Sequence, residues 1–295
     1  MLPSILSKRR YRVSLTGYLF ILPSVILFLA FLGAPLLYAL FISFHRWSGM
    51  NTPIFVGPAN YSHLIGDSIF WGALQVTLLF AAMSVPLTTV IALLTAVLVN
   101  QTLPLRYLFR SMTFIPAIIA GTVVGVIWLF VYQPDVGLLN EVLRLAHLPG
   151  HLWLGDTLTA LPAIVVVSVW QRFGWFSVLF LAGLQDIPVE QLEAAAIDGA
   201  SRWTTFIHIT LPLLRPTIAL VVVLAALGSF QVFDLVYVMT GGGPFYATET
   251  LSFYIYNQAF RSVNMGYATS MAWVLFGFIF ILTLVQLRVL RPATD

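Results

Sequence analysis

Cysteine is absent from this chain of 295 residues, and charged residues make up only 8% of it. Without cysteine, the chain can form neither a disulfide framework nor a thiolate metal site. Soluble domains contain about one quarter charged residues, whereas 60% of this chain is hydrophobic. A soluble core could not bury so much apolar surface. The composition therefore predicts an integral membrane protein.

Lysine is nearly absent as well, since Lys8 is the only one. A phosphate-binding loop needs the pattern Gly-x4-Gly-Lys-Ser/Thr, and the glycine-rich stretch at residues 240–244 has no lysine. We interpret the histidines as solvated rather than metal-ligating, because none has metal-ligand spacing: His45, His63, His147, His151 and His208. We therefore expect no catalytic residue, no metal site and no enzyme activity in this chain.

Long apolar runs dominate what is present. A membrane-spanning helix needs about 20 mostly apolar residues to cross a hydrocarbon core about 30 Å thick. Six stretches meet this requirement, at residues 15–44, 71–99, 109–132, 158–184, 213–239 and 267–290. Helices are favoured over strands because they satisfy their backbone hydrogen bonds internally. The sequence predicts an all-α membrane protein that forms a single transmembrane domain over residues 1–295.

Basic residues are distributed unevenly between the two sides of these spans. One side holds Lys8, Arg9, Arg10, Arg12, Arg106, Arg110, Arg202, Arg215, Arg288 and Arg291. The opposite side holds only Arg46, Arg144 and Arg261. Because cytoplasmic loops carry the excess of lysine and arginine, both termini are predicted to be cytoplasmic.

One cytoplasmic connection, residues 188–212, is too polar to span a bilayer and too patterned to be a plain linker. Pro188 suits the first turn of a short helix, and Gly199 can adopt the left-handed conformation that ends it. Ser201 is a candidate N-cap for a second helix through Ile209, and Pro212 is predicted to break the chain before the fifth span. The acidic first helix favours a protein partner; a helix pair resting on lipid headgroups is the alternative.

The same segment carries a family signature. Its fixed positions follow the pattern EAA-x3-G-x9-I-x-LP, and they are Glu193, Ala194, Ala195, Gly199, Ile209, Leu211 and Pro212. This pattern resembles that of the membrane subunits of ABC importers. Residues 57–61, 133–140 and 236–260 resemble the carbohydrate-uptake branch, which includes permeases for maltose, other oligosaccharides and glycerol 3-phosphate.

The resemblance implies a type I importer permease fold with six transmembrane helices and cytoplasmic coupling helices. It implies that the signature residues, together with Asp198, contact an ATP-binding cassette ATPase dimer. Further implied partners are a second, similar permease subunit, identical or distinct, and an extracytoplasmic solute-binding protein. The chain would bind no cofactor itself, because ATP and Mg would be held by the ATPase. The location implied is the inner or plasma membrane of a prokaryote.

Polar residues inside the predicted spans mark a candidate solute pathway. An arginine near the bilayer centre costs about 2.5–3.5 kcal/mol on insertion scales, so it normally faces a bundle interior or a water-filled cavity. Arg172 is such a residue, and guanidinium beside an aromatic ring suits a sugar. The candidate substrate-binding set is Trp170, Gln171, Arg172, Trp175, Ser229, Gln231 and Asp234. A structural ion pair between Arg172 and Asp234 is the alternative.

The function predicted is therefore the pathway subunit of an ATP-driven importer for a sugar or sugar-like solute. Two alternatives stay open at this point. An ion-coupled secondary transporter would use membrane-embedded acids, for which Asp234 is the clear candidate. Within the ABC importers, Arg172 is also compatible with a phosphate ester, as in a glycerol 3-phosphate importer.

Overall fold

The computed structural model describes residues 17–101 and 106–289. Helices make up most of this part of the chain. In chain order they are α1 (Gly17–Ser43), α2 (Ala59–Gly66), α3 (Ser68–Val99), α4 (Arg106–Ile118), α5 (Gly121–Val131), α6 (Leu138–Leu145), α7 (Ala160–Gln185), α8 (Val189–Ile197), α9 (Arg202–Leu213), α10 (Arg215–Phe230), α11 (Asp234–Met239), α12 (Leu251–Tyr256) and α13 (Met265–Val289). Two short strands, β1 (His45–Arg46) and β2 (Ile54–Phe55), pair antiparallel.

Within the described residues, four helices are each long and apolar enough to cross a membrane: α1, α3, α7 and α13. They correspond to the first, second, fourth and sixth predicted spans, and much of their apolar surface is exposed, as lipid contact requires. Residues 15, 16 and 290 of the predicted spans lie outside the described residues.

The third and fifth predicted spans are broken instead of straight. Helices α4 and α5 meet at 100°, and α9 and α10 meet at 67°. The predicted span 213–239 also ends early, because α10 stops at Phe230 and α11 begins at Asp234. Counting each bent pair as one span gives up to six spans.

Side chains satisfy the carbonyl groups that these breaks release. The Ser252 hydroxyl donates to the Phe230 carbonyl and the Thr250 hydroxyl to the Val232 carbonyl, each at 3.1 Å. At the other break, the Gln171 side-chain amide donates to the Ile119 carbonyl at 3.0 Å. Irregular backbone at membrane depth needs such partners, and apolar run length alone could not reveal them.

The chain divides into two compact units, one containing residues up to 66 with 258–273, and the other containing residues 67–257 with the part after 273.

In the first unit, His45 is only 6% exposed. Its Nδ1 lies 2.7 Å from the Phe41 carbonyl oxygen, and its ring packs 4.1 Å from the Phe41 ring. The interpretation of His45 as a solvated side chain was therefore wrong, because its ring is buried against Phe41.

In the second unit, α7 packs along α3, and α4 and α10 also contact these helices. Two apolar clusters fill the contacts, one around Phe80, Ile164 and Val236 and the other around Ala92, Phe180 and Val221. Small residues allow close approach: a Cβ atom built on Gly174 of α7 would collide with the Thr113 carbonyl oxygen of α4. This packing positions α4, α5, α7, α10 and α11 around one cavity.

Asn140 of α6 fastens the connection between α5 and α7. Its side-chain amide donates to the carbonyls of Pro134 at 2.9 Å and His151 at 3.0 Å. Its Oδ1 accepts from the His151 backbone N–H at 3.1 Å and from Trp153 Nε1 at 2.8 Å. With 2% of its surface exposed, this one side chain holds three chain segments together.

Candidate solute site and coupling surface

A cavity of about 380 Å³ lies where α7 meets the α4–α5 bend and the interruption between α10 and α11. One part of its wall comes from the α4–α5 break, another from α7, and the last from the stretch between α10 and α11. Its lining residues are Ala117, Gly121, Gln171, Arg172, Trp175, Phe176, Gln231, Val232, Phe233, Asp234 and Leu235. The cavity therefore combines charged, amide and aromatic side chains with the ends of broken helices.

Five of the seven candidate substrate-binding residues line this cavity: Gln171, Arg172, Trp175, Gln231 and Asp234. They form two groups, residues 171–175 and residues 231–234, that lie more than 50 positions apart along the chain, so the fold brings two separate polar clusters together. Guanidinium and amide N–H groups can donate to hydroxyls, carboxylate and amide oxygens can accept from them, and the Trp175 ring offers a stacking face.

Trp170 and Ser229 do not line the cavity. Trp170 packs into the apolar core, with its ring 5.6 Å from that of Trp128. Ser229 is 3% exposed; its hydroxyl donates to the Ala225 carbonyl at 2.8 Å and lies 2.9 Å from the Ser84 hydroxyl of α3. In this structure both residues hold helices together.

Arg172 and Asp234 share the cavity without forming a direct ion pair. Ion pairs within 4.0 Å in the described part of the chain include Arg144 with Glu141 and His151 with Asp156, and none there joins Arg172 to Asp234. The alternative of a structural ion pair between Arg172 and Asp234 is thus not found within 4.0 Å. Both charged groups remain available to a solute.

Two glycines that the sequence analysis missed lie against these charged groups. A Cβ atom built on Gly228 of α10 would collide with Nη1 of Arg172. A Cβ atom built on Gly121, the first residue of α5, would lie 3.0 Å from Oδ2 of Asp234. No local sequence pattern marks these two among the chain's 20 glycines, because only the fold brings the charged groups to them.

The segment at residues 188–212 forms the predicted helical pair. Helix α8 ends where Gly199 takes a φ of 77°, and the Ala200 N–H donates to the Ala195 carbonyl at 2.9 Å. The Ser201 hydroxyl accepts from the Thr204 N–H at 3.2 Å and caps α9. The glycine turn and the serine cap are both confirmed.

The predicted break before the fifth span is present but lies two residues after Pro212, and the predicted end of the second helix near Ile209 was wrong. Helix α9 continues through a π turn at Phe206–Thr210 and ends at Leu213, and the bend lies at the fully buried Leu214. The π turn shifts the hydrogen bonding, with the Leu211 N–H donating to the Phe206 carbonyl. The helix can therefore pass a proline, which lacks the N–H of a regular turn.

The signature residues divide into exposed and packed groups. Glu193 and Ala194 are exposed, as is the neighbouring Asp198, whereas Ala195 is 5% exposed. Ile209, Leu211 and Pro212 are partly buried. The packed group therefore positions the helices, and the exposed group forms the surface that a partner could contact.

Ile197 completes that surface, although the sequence analysis did not identify it. Its side chain is 86% exposed, and it follows Glu190, Glu193 and Ala194 at the i, i+3, i+4, i+7 spacing of one helix face. We call Glu190, Glu193, Ala194, Ile197 and Asp198 the coupling surface. Its carboxylates and the Ile197 side chain are the groups that a protein partner could contact.

Residues 78–294 match the family of binding-protein-dependent transport system inner membrane components. The chain belongs to this family. It is 35% identical to the probable ABC transporter permease YurN of Bacillus subtilis, over 94% of this chain and 97% of that one. It is also 35% identical to the trehalose/maltose transport system permease MalF of Thermococcus litoralis, over 98% of both chains.

A solved structure shares the fold over nearly the whole chain. It comes from a bacterial ABC transporter involved in the import of the acidic polysaccharide alginate, with a TM-score of 0.85, 23% identity and coverage of 98% of this chain and 99% of that chain. The expected type I importer permease fold is thereby confirmed. As an inner membrane component, the chain is a multi-pass membrane protein.

Proposed function

We propose that this chain forms the solute pathway of an ATP-driven importer that receives a sugar from an extracytoplasmic binding protein and releases it into a prokaryotic cytoplasm. The observation that carries the proposal is the cavity in which Arg172, Asp234, Gln171, Gln231 and Trp175 meet beside the α4–α5 bend and the interruption between α10 and α11. In transporters, discontinuous helices surround substrate sites near the bilayer midplane. The name of the MalF relative, a trehalose/maltose permease, supports a saccharide.

The coupling surface supports the second part of the proposal, the link to an ATPase. Its exposed carboxylates and Ile197 lie on a short rigid helix that Gly199 and Ser201 terminate and cap. We propose that an ATP-binding cassette ATPase dimer binds this surface and holds the ATP and Mg, and that this chain is non-catalytic. A second, homologous permease subunit, distinct from this chain, would complete the pathway.

The distribution of basic residues supports an orientation in the membrane. Under the positive-inside rule, the basic residues at the chain ends, in α4 and at the ends of α9 would lie on the cytoplasmic side. Both termini and the coupling surface would then be cytoplasmic, and α6 with its Asn140-fastened connection would face the binding protein.

The test is uptake by proteoliposomes that contain this chain, its permease partner and the ATPase, with the binding protein supplied outside. Radiolabelled trehalose and maltose are the probes, and glycerol 3-phosphate is the comparison. We expect sugar uptake only with ATP at the ATPase side and no loss on adding an uncoupler. Uptake driven by an ion gradient without ATP would instead identify a secondary transporter. Uptake of glycerol 3-phosphate alone would contradict the sugar assignment.

A further inference from the structure

The cavity contains two ionisable side chains, Arg172 and Asp234, and the other residues of its lining are neutral. With both groups ionised, the lining carries no net charge. The two are not joined within 4.0 Å, so neither neutralises the other by direct contact. Features of the neighbouring helices therefore keep these two opposite charges apart within one cavity.

Glycine lies beneath each charged group. The Arg172 guanidinium lies against Gly228 of α10, where a Cβ atom would collide with Nη1 and lie 3.3 Å from Cζ. The Asp234 carboxyl group lies on Gly121, where a Cβ atom would be 3.0 Å from Oδ2 and 3.2 Å from the Asp234 Cβ. Both charged side chains thus use the space left by a missing side chain on a neighbouring helix.

The Asp234 position has a second support. Gly121 begins α5, and its N-cap residue, Ala120, provides no side-chain hydrogen bond to the first turn. The amide groups at a helix N-terminus favour a nearby negative charge. The carboxyl group is therefore attracted to the N-terminus of α5, and this attraction stabilises its separation from Arg172.

We infer that Gly121 and Gly228 are positioning residues that hold the Asp234 carboxylate and the Arg172 guanidinium apart as a charge-balanced pair, which selects an uncharged, hydroxyl-rich solute over an anionic one. This inference rests on the proposed function and names its substrate class. Neighbouring hydroxyls can donate to the carboxylate and accept from the guanidinium at once. An anionic solute gains from Arg172 but is opposed by Asp234 at short range.

The chain's lack of cysteine allows a test that needs no transport. Ala117→Cys places a single thiol in the cavity lining. Its reaction rates with a cationic trimethylammonium methanethiosulfonate and an anionic sulfonate methanethiosulfonate are measured in the assembled importer, by the mass of this chain. The ratio of the two rates, compared with the ratio for a small free thiol, reports the local potential.

In the Ala117→Cys parent, we expect a ratio within about twofold of the free-thiol value, because the lining charges balance. Asp234→Asn should favour the anionic reagent by at least about fivefold, and Arg172→Gln should favour the cationic reagent by a similar factor. Gly228→Ala should shift the ratio in the direction of Arg172→Gln, because the added methyl group displaces the guanidinium. Gly121→Ala should shift it in the direction of Asp234→Asn.

Gly72→Ala is the matched control, since Gly72 lies within α3 and a Cβ atom there would meet nothing within 4 Å. Its ratio should equal that of the parent. A strongly biased parent ratio, Gly228→Ala and Gly121→Ala behaving like Gly72→Ala, or a thiol that reacts with neither reagent would each overturn the inference. None of these outcomes bears on ATP dependence, so an ATP-driven importer could fail this test and still pass the uptake test.

Discussion

Arg172 lies near the middle of α7 and faces the cavity, which offers the polar surroundings that an arginine at membrane depth requires. Its neighbours on the same helix also make structural contacts. Trp170 packs into the core, and the Gln171 side-chain amide donates a hydrogen bond to the Ile119 carbonyl. At the scale of single residues, Arg172 is thus the side chain whose loss should separate solute handling from folding.

We expect Arg172→Ala to lower sugar uptake at least about tenfold, the effect of losing roughly 1.5 kcal/mol or more of charged hydrogen bonding. Assembly with the ATPase should be unchanged. Arg172→Lys should restore uptake only in part, because lysine lacks the planar fork of donors. Arg288→Ala, at the exposed arginine in the last turn of α13, is the control. Failure of Arg172→Ala to assemble would instead indicate a structural role.

Ser229 should behave differently, because its hydroxyl pairs with Ser84 and lies outside the cavity lining. Ser229→Ala is expected to lower stability by about 0.6–1 kcal/mol, with uptake per folded complex unchanged. The measurement is thermal unfolding of Ser84→Ala, Ser229→Ala and the double variant, which should show coupling between the two sites. Altered solute preference in Ser229→Ala would return this residue to the substrate-binding set.

At the scale of elements, the turn between α8 and α9 depends on Gly199, whose φ of 77° is disfavoured for residues with a side chain. A Cβ atom there would meet nothing within 4 Å, so the restriction is conformational and not steric. Gly199→Val should misplace α8 and lower both ATPase co-purification and uptake. Gly199→Asn, which tolerates the left-handed region, should keep most of both. Equal losses in the two variants would contradict this explanation.

The coupling surface gives a prediction about charge and apolar contact. Glu193→Lys reverses the charge of an exposed residue on α8, and Ile197→Asp removes its most exposed apolar side chain. Each variant should reach the membrane but bind the ATPase less well in detergent. Val136→Asp, at a residue that is 74% exposed outside this surface, is the matched control for Ile197→Asp. Normal co-purification and uptake in both variants would favour the alternative that the segment rests on headgroups.

At the scale of the whole molecule, the orientation can be read from single cysteines in this cysteine-free chain. Met50, which is 90% exposed, and Gln101, which is also exposed, lie on opposite predicted sides. A membrane-impermeant maleimide should label Met50→Cys in intact spheroplasts and Gln101→Cys only after permeabilisation. The reverse pattern would overturn the predicted cytoplasmic termini.

The long spans and the coupling segment could be predicted from the sequence, because the residue patterns that determine them are local. Run length determines a spanning helix such as α3, and Gly199 and Ser201 lie beside the helix ends that they control. The sequence also predicted five of the residues that line the cavity, because polar groups are rare in such apolar runs.

The remainder depended on contacts between residues distant in the chain. The break after Phe230 is satisfied by the hydroxyls of Thr250 and Ser252, more than 15 residues away. Gly228 and Gly121 gain their importance only from the side chains of Arg172 and Asp234. Neither effect leaves a pattern within a window of one helix, so the breaks and the glycines could not be predicted.

The Asn140 side chain accounts for four hydrogen bonds that close the connection between α5 and α7. In extracellular proteins, connections are commonly closed by disulfides, which depend on oxidants and on isomerases to form. A carboxamide neither titrates nor exchanges electrons. The four bonds made by Asn140 therefore form without oxidation chemistry, survive reductants, and keep the same protonation state in acidic and alkaline surroundings.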